Sequence, residues 1–415
     1  MNSEIYAGVD IGSENVICVV AEVDEQGTLH ITGAGKAPTS GSVIEGVIVD
    51  LQGATEAVSH AIEEAESISS WKTTDVAVSI SGSHVRGFPG RGTVNVERED
   101  EFVSGKVEWI DIEDATETAQ LIKLPRESMV LRTEKCGYTI DGSSRLLRPP
   151  VGLRAERLTA DIYIVTADRT AVLNLEQVIL NSGKNVSAIY PAASAAARAI
   201  LTPDEMEMGV VLADIGSSTI DLAVFHSGVL AHLAVIPGGG ESITRALQQI
   251  RIPRHEAERL KREYIDLSAG RLKLKDREIT VSTFGGRNTI PITDEAVNEI
   301  AYRSACNLMG DILCELKQAG IQESDLPAGI VLSGGTSHLK GLTTAASRII
   351  GIPVEVGRPG GMDMSSSLIE RAEFANAVGL VLLSREEESE YEKRVKPNTL
   401  GKAASRLKGL IRKLR

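Results

Sequence analysis

Two short segments of this chain carry nearly the same turn between apolar strands. The first reads VDIGSENVICVV and contains Asp10-Ile11-Gly12-Ser13; the second reads ADIGSSTIDLAV and begins the same way at Asp214, 204 positions later. In both copies an apolar run precedes the turn and another follows it, a pattern typical of paired buried strands. The repeat indicates a duplicated domain whose two turns face one shared cleft.

The residue types of both turns suit a bound polyphosphate. Glycine lets the backbone approach a ligand closely, successive N–H groups form an anion-binding concavity, and hydroxyl side chains add donors. An aspartate at the head of each turn would repel phosphate unless a cation lay between them, so Asp10 and Asp214 predict a Mg²⁺ ion held largely through water. The phosphate-binding candidates of the two turns are Gly12, Ser13, Gly216, Ser217, Ser218 and Thr219.

The remainder of the chain alternates strand and helix patterns, as in an α/β protein. Apolar periodicity predicts helices over 51–68, 112–122, 169–183, 255–264 and 294–320. Between 84 and 166 the sequence pattern changes to Gly- and Arg-containing segments, strand candidates and one helix. This pattern predicts a small inserted α+β subdomain. The alanine-rich run 191–201 is consistent with an ordinary packed helix.

Charge and cysteine usage exclude some function classes. The chain has 44 Lys and Arg against 57 Asp and Glu, a net charge of −13, although its last sixteen residues hold six basic side chains and no acid. An acidic body argues against nucleic-acid binding. The four cysteines have no metal-site or disulfide spacing, and the chain shows neither a signal peptide nor an apolar run of about 20 residues, so we expect a cytoplasmic protein.

Five motifs appear in the order found in the superfamily of actin, heat-shock chaperones and sugar kinases. VDIGSENV resembles its first phosphate loop, IYPAASAAARAIL its first connecting helix, ADIGSSTID its second phosphate loop, GIVLSGGTSHLKGL its adenosine loop and ANAVGL its second connecting helix. The resemblance covers 1–83 and 167–384. It implies an actin-like α/β fold, in which two duplicated ribonuclease-H-like lobes enclose ATP.

The same resemblance adds further nucleotide-binding candidates. Glu258 and Lys261 lie where relatives contact the ribose and adenine, although a solvated helix face explains them equally well. Asn15 takes the place of a phosphate-contacting lysine. The other candidates that the resemblance implies are Gly239, Gly240, Gly334, Gly335 and Thr336.

Within that superfamily the chain is most similar to the FtsA family of bacterial division proteins. The inserted subdomain after SISG, the segment VIPGGGESITRAL and a charged linker ending in a basic amphipathic helix carry this resemblance. It implies a filament-forming protein that tethers the FtsZ ring to the cytoplasmic face of the membrane at the division site and recruits other division proteins. The implied first lobe is 1–83, 167–204 and 361–384 with the insertion 84–166; the second is 205–240 and 306–360 with a subdomain 241–305; a flexible linker 385–399 and a helix 400–415 follow.

Arg303 aligns with an arginine of the surface on which FtsA proteins receive the C-terminal peptide of FtsZ. A guanidinium can bind a carboxylate in a bidentate manner. A surface arginine on a helix is an equally good interpretation of this single residue.

Three departures from the superfamily pattern bear on ATP turnover. Asn15 removes a positive charge, Ser217 and Ser218 replace glycines, and Tyr190 stands where relatives place a water-orienting Gln or Glu. Because a phenol is a poor base at neutral pH, these changes favour nucleotide binding as an assembly switch, with weak or no ATPase activity.

The last sixteen residues predict a membrane-binding helix. Leu400, Leu407, Leu410, Ile411 and Leu414 fall on one helical stripe, and the cationic residues, including Lys408, Arg412 and Lys413, lie outside it. Such a helix would lie at the surface of an anionic membrane. A solvated tail and a helix that docks in a protein groove are the other interpretations.

Two other functions use the same fold. A sugar kinase needs an Asp base in a sugar pocket, and no suitable Asp-centred motif occurs between 84 and 166. A pilus-assembly scaffold resembling PilM would share the core but would not need the cationic C-terminal helix.

Overall fold

The computed structural model of this chain describes residues 4–97, 104–143, 148–268, 277–360, 363–364 and 371–395. The membrane-binding helix predicted over 400–415, with Leu407 and Arg412, lies outside these residues. Within the described ranges, no helix combines the length and the apolar character needed to cross a bilayer.

The described residues form twenty strands and ten α-helices. The strands are β1 (Glu4–Ile11), β2 (Asn15–Val23), β3 (Leu29–Pro38), β4 (Val43–Ile44), β5 (Val47–Ile48), β6 (Asp75–Ile80), β7 (Arg86–Asn95), β8 (Gly105–Lys106), β9 (Ser128–Ile140), β10 (Arg154–Ala155), β11 (Arg157–Asp168), β12 (Asn185–Pro191), β13 (Val210–Ile215), β14 (Thr219–His226), β15 (Val229–Pro237), β16 (Glu278–Ser282), β17 (Thr289–Thr293), β18 (Ile330–Ser333), β19 (Val354–Val356) and β20 (Asp363–Met364). The helices are α1 (Leu51–Ser69), α2 (Trp109–Ala119), α3 (Arg169–Asn181), α4 (Ala192–Ile200), α5 (Pro203–Met208), α6 (Gly240–Gln248), α7 (Arg254–Glu263), α8 (Asp294–Gln318), α9 (Leu342–Ile350) and α10 (Ala375–Val395).

The first lobe is built on a sheet with the strand order β12-β6-β1-β2-β3-β20. Helix α1 covers this sheet with a stripe of buried Ala, Val and Ile side chains, and its N-cap is Asp50, whose carboxylate accepts a hydrogen bond from the backbone N of Gln52. A Cβ added to Gly35 of β3 would lie 2.0 Å from the carbonyl oxygen of Ala61. Glycine therefore allows β3 to lie directly against α1, which fixes the position of the residues beside it.

The second lobe repeats the hairpin of the first, with β13 antiparallel to β14 as β1 is to β2. Its sheet has the order β19-β18-β13-β14-β15-β7-β11-β9, so it continues into strands of the inserted subdomain. The junction is one residue pair, Ala234 of β15 opposite Arg86 of β7. The insertion predicted at 84–166 therefore extends the second lobe's sheet, a connection that the sequence pattern does not reveal.

Helix α8 crosses the boundary that the sequence placed between 305 and 306. Its buried side chains lie on both sides of that boundary, and Leu308, Met309 and Ile312 belong to the main core of the second lobe. The subdomain with the β16–β17 hairpin is thus attached through a continuous helix.

Helices α4 and α10 pack against each other between the lobes. A Cβ at Gly379 of α10 would lie 1.7 Å from the carbonyl oxygen of Ala195 on α4. The alanine-rich run is therefore a connecting helix, and its small side chains allow the two backbones to approach closely.

Helix α10 continues to Val395, so the prediction of a flexible linker beginning at 385 was wrong over 385–395. The charged residues that suggested disorder have partners on the protein body. Arg198 Nε lies 2.7 Å from Glu386 Oε1, the Tyr190 hydroxyl donates to Glu387 Oε2 at 2.9 Å, and the Tyr6 hydroxyl donates to Glu388 Oε2 at 2.7 Å. These contacts stabilise a helix end that composition alone assigns to a linker.

Candidate functional site

A cavity of about 490 Å³ lies between the two lobes, where the two Asp-Ile-Gly turns meet. Most of the predicted nucleotide-binding residues line it. These are Asp10, Gly12, Ser13, Asn15, Asp214, Gly216, Ser217, Thr219, Gly240, Glu258, Lys261, Gly334, Gly335 and Thr336.

The first turn (residues 10–15) and the second turn (residues 214–219) are each closed by an equivalent backbone hydrogen bond. Gly12 N donates to Asn15 O at 3.0 Å, and Gly216 N donates to Thr219 O at 2.9 Å. The equal offset of three residues shows that the repeated sequence produces a repeated conformation.

Ser218 and Gly239 support the turns instead of lining the cavity. The Ser218 hydroxyl donates to the Ser13 hydroxyl at 2.7 Å and accepts a hydrogen bond from Glu45 N at 3.1 Å. A Cβ at Gly239, where φ is +123°, would lie 2.6 Å from the Gly216 carbonyl oxygen. Ser218 therefore joins the two turns, and Gly239 lies directly against the second.

The two aspartates of the repeat share one amide. Asn376 Nδ2, at the start of α10, lies 2.8 Å from Asp214 Oδ2 and 3.3 Å from Asp10 Oδ1. Asp10 also accepts a hydrogen bond from the Ser79 hydroxyl at 2.6 Å. A single side chain thus bridges the equivalent carboxylates of the two lobes.

Burial shapes the electrostatics of this pair. It raises the pKa of Asp10, and hydrogen bonds from Ser79 and Asn376 oppose that effect. Burial also raises the pKa of Asp214 to about 7, and the neighbouring Asp10 charge adds to the increase. Two carboxylates in such a site favour a bound cation, because a cation stabilises their ionised form.

A third carboxylate, Asp221 on β14, lies opposite Asp214 in the β13–β14 ladder and lines the same cavity. Its Oδ2 accepts a hydrogen bond from the Ser81 hydroxyl at 2.8 Å, whereas its buried Oδ1 has no hydrogen-bond partner among the described residues. Burial, followed by the Asp214 charge, raises the pKa of Asp221 to about 8. A buried acceptor without a partner, in a residue that lines the cavity, is suited to a ligand that brings a donor or a cation.

The wall of the cavity formed by α7 and α6 carries an ordered ion pair. Lys261 Nζ lies 2.8 Å from Glu258 Oε1 and 2.8 Å from Thr244 Oγ1, and it donates to Gly240 O at 3.2 Å. Although burial acts in the opposite direction, hydrogen bonds from Lys261 and Thr244 lower the pKa of Glu258. The geometry brings Glu258 and Lys261 into the cavity, so they are not merely a solvated helix face.

The segment after β18 packs closely on the second turn. Gly334 has φ +79°, and a Cβ there would lie 2.4 Å from Asp214 Oδ1. Gly335 has open space beside it, and the Thr336 hydroxyl donates to Gly216 O at 2.8 Å. Only glycine fits at 334, since both the conformation and the space exclude a side chain.

Two residues singled out in the sequence lie away from the cavity lining. Tyr190 is fully buried, stacks under Arg132 at 4.4 Å from the ring centre and donates its hydroxyl to Glu387. Its side chain is therefore engaged by Arg132 and Glu387 and is not among the residues that line the cavity. Arg303 is exposed on α8 and forms an ion pair with Glu299 at 2.6 Å.

Sequence reasoning missed several residues of the cavity. The signals that could have identified them were polar residues within apolar elements, such as Asp221 in TIDLAV and Asn376 in ANAVGL. The remaining polar residues that line the cavity are Glu14, Lys36, Ser81, Arg262, His338, Lys340 and Glu373.

Two family models match the chain. The one described as "Cell division protein FtsA" matches residues 211–379, and the one described as "SHS2 domain inserted in FTSA" matches residues 82–166. The second match overlies the insertion predicted at 84–166.

Curated relatives carry the name "Cell division protein FtsA". The Neisseria meningitidis protein is 32% identical, with 90% of this chain and 88% of that protein covered. The Pseudomonas aeruginosa protein is 30% identical, with 94% and 91% covered, and the Escherichia coli K12 protein 29%, with 99% and 98% covered.

Solved structures confirm the actin-like fold. A type IV pilus PilM-PilN complex gives a TM-score of 0.64 at 19% identity, covering 91% of this chain and 98% of that chain. MreB5 of Spiroplasma citri bound to AMPPNP gives a TM-score of 0.58 at 14% identity, covering 95% and 100%. At these identities the likeness concerns the fold alone.

Proposed function

This chain belongs to the FtsA family of cell division proteins, and from that premise we propose that it binds ATP with Mg²⁺ between its lobes and tethers the FtsZ ring to the membrane. In this proposal the nucleotide controls self-assembly into filaments, the second-lobe subdomain receives the C-terminal peptide of FtsZ, and the C-terminal segment binds anionic lipid. Other division proteins would then be recruited to this membrane-bound filament.

The observation that carries the nucleotide proposal is the Asn376 bridge between Asp10 and Asp214. It brings equivalent acids of both lobes to one point in a cavity that is also lined by turn glycines and hydroxyls. Backbone N–H groups and hydroxyls suit phosphate oxygens, and the carboxylates suit a cation between them and the phosphates. A Mg-nucleotide satisfies both requirements.

The residues fit Mg²⁺ as a water- and phosphate-bound ion. Among the described residues, no group of three or more His, Cys, Asp or Glu side chains is arranged as a metal cage, so Asp10 and Asp214 would hold the ion together with water and phosphate oxygens. The orphaned Oδ1 of Asp221 provides one more hard oxygen at the cavity. When bound, Mg²⁺ would neutralise phosphate charge.

We further propose that ATP turnover is weak or absent. Of the departures from the superfamily pattern, Asn15 lies in the cavity lining, and its neutral amide provides no charge for a transferring phosphate. Tyr190, whose hydroxyl donates to Glu387, is not among the residues that line the cavity.

Calorimetric titration with ATP and ADP, with and without Mg²⁺, tests the proposed cofactor. We expect binding that tightens with Mg²⁺, and we expect Asp10→Asn with Asp214→Asn to remove this effect of the metal. Asp75→Asn is the matched control, since Asp75 accepts a similar amide hydrogen bond, from Asn185 at 3.2 Å, on the exposed surface. Absence of binding to folded protein at millimolar nucleotide would refute the proposal.

Peptide titration tests the proposed FtsZ-binding surface. Arg303→Glu should weaken binding of an acidic FtsZ C-terminal peptide. Arg91→Glu is a close control, because both arginines are 73% exposed and both lie 2.6 Å from a carboxylate. Equal affinities for the two variants would remove Arg303 from the binding surface.

Co-sedimentation with vesicles tests the proposed membrane anchor. A chain ending at Asn398, and the full chain with Leu407→Glu, should remain in the supernatant with anionic vesicles, and high salt should weaken the intact protein's binding. Leu173→Glu, at an exposed leucine of α3, controls for the substitution itself. If the truncated chain pellets as well as the intact one, the tail is not the anchor.

A further inference from the structure

Lys36, on β3 of the first lobe, lines the cavity, whereas the first turn itself has no lysine. The resemblance of the first turn to a phosphate loop implies a phosphate-contacting lysine at position 15, and this chain has Asn15 there. The lysines and arginines that line the cavity are Lys36, Lys261, Arg262 and Lys340. Within the described part of the chain, Lys36 is the one from the first lobe.

Strand register places Lys36 beside Asn15. In the β2–β3 ladder Ile17 lies opposite Lys36, and Asn15 lies two residues before Ile17. Side chains two residues apart on a strand share a face, so Asn15, Ile17 and Lys36 project to the same side, and all three line the cavity. Such diagonal neighbours are about 7–8 Å apart, a separation that a lysine side chain can span.

The backbone at Lys36 is held firmly. Its N–H donates to Glu64 Oε2 at 2.8 Å, and the preceding Gly35 lies directly against the backbone of α1. The charged end is therefore delivered by a rigid strand, as a binding cation requires.

The ammonium group keeps capacity for a ligand. Lys36 Nζ lies 2.8 Å from Glu373 Oε2, and the lysine side chain is 37% exposed. An ammonium has three donors, and Glu373 uses one of them in the described contacts. The second-lobe lysines are occupied differently, since Lys261 has three protein partners and Lys340 pairs with Asp266 at 2.5 Å.

We propose that Lys36 supplies the first-lobe positive charge for the phosphates of the bound nucleotide, in place of a lysine at position 15. This inference rests on the proposed ATP binding. A lysine moved from the turn to the adjacent strand would serve the same phosphates from the same face.

Calorimetry on the full chain with Mg-ATP, Mg-ADP and AMP tests this role. We expect Lys36→Ala to weaken ATP and ADP binding roughly 10- to 100-fold, as for loss of a charged hydrogen bond, and to change AMP binding least. Adding Asn15→Lys to Lys36→Ala should restore most of the affinity. A purely structural role would not respond to a lysine placed at the neighbouring position.

Two further variants separate the alternatives. Lys72→Ala removes a lysine whose ion pair has the same 2.8 Å distance but lies outside the cavity lining, and it should leave nucleotide affinity unchanged. Glu373→Gln should raise phosphate affinity, because it frees the ammonium; a loss as large as that of Lys36→Ala would show that only the ion pair matters and would overturn the inference. If wild-type protein binds no ATP, the proposed function fails; if it binds ATP and Lys36→Ala binds equally well, only this inference fails.

Discussion

At the scale of single residues, the buried carboxylates of the cleft make stability depend on pH. In an unfolded chain an aspartate ionises near pH 4, whereas burial raises the pKa of Asp214 to about 7 and that of Asp221 to about 8. Between about pH 4 and pH 8 these two aspartates bind more protons in the native protein than in the unfolded chain. The free energy of unfolding therefore falls as pH rises through this range.

From these two groups together we therefore expect the nucleotide-free protein to be roughly 3–4 kcal/mol less stable at pH 8 than at pH 6. Urea unfolding at both pH values measures the difference. Asp214→Asn with Asp221→Asn should flatten it, and Asp75→Asn, on the exposed surface, should not. An undiminished difference in the double variant would contradict the assignment.

The turn residues of the site can be predicted from sequence, whereas the residues that position them cannot. Asp10, Gly12 and their copies belong to a local motif whose chemistry is visible in a few letters. Asn376 contacts Asp10 across 366 positions and Ser79 does so across 69, so their roles exist only after the sheet and α10 have assembled. The proposed role of Lys36 cannot be predicted from sequence for the same reason, because it depends on the register between β2 and β3.

At the scale of elements, the close packing of α4 against α10 requires that residue 379 of α10 has no side chain. Because a Cβ at Gly379 would lie 1.7 Å from the Ala195 backbone, we expect Gly379→Ala to destabilise the protein by about 1–3 kcal/mol or more. Gly310→Ala is the matched control, since Gly310 lies in α8 with nothing within 4 Å of the new atom, and it should stabilise by up to about 1 kcal/mol. Denaturant midpoints compare the two; a neutral Gly379→Ala would mean that the helices can separate without cost.

A second prediction concerns how much the end of α10 contributes to stability. A chain ending at Ser384 loses the partners of Tyr190, Arg198 and Tyr6 and leaves the buried Tyr190 hydroxyl without Glu387. An unsatisfied buried hydroxyl costs about 1–3 kcal/mol, so this chain should melt at a lower temperature than one ending at Val395. Equal melting temperatures would show that residues 385–395 contribute nothing to the fold.

The helices follow from sequence where apolar periodicity is strong, and the helix end at 385–395 shows where that reasoning stops. The predicted segments 51–68, 169–183 and 294–320 correspond closely to α1, α3 and α8. A run of acidic residues contains no periodic signal, and its helicity here depends on distant Tyr and Arg partners. The composition of this segment shows that it has few apolar residues, but it cannot show that distant Tyr and Arg side chains bind its glutamates.

At the scale of the whole molecule, the contacts between the lobes include an apolar set and a polar set. At the base, side chains of α4 such as Ala196 pack with Leu212 and Val331 of the second lobe. Across the turns the contacts are polar, including the hydrogen bond between Ser218 and Ser13 and the long ion pair of Arg254 with Glu14 at 3.5 Å. Polar contacts of this kind exchange with water at little net cost, so a nucleotide is free to become the main connection there.

We expect Mg-ATP to stabilise both lobes together. At a free concentration of 100 times its dissociation constant, a ligand that binds only the native state adds about 2.7 kcal/mol to the free energy of unfolding. Hydrogen exchange should then slow in the β1–β2 and β13–β14 hairpins alike, because each supplies one of the two turns. Asp10→Asn with Asp214→Asn should reduce both effects in parallel. Protection confined to one hairpin would mean that the nucleotide is held by one lobe, and that the duplicated turn does not act as a pair.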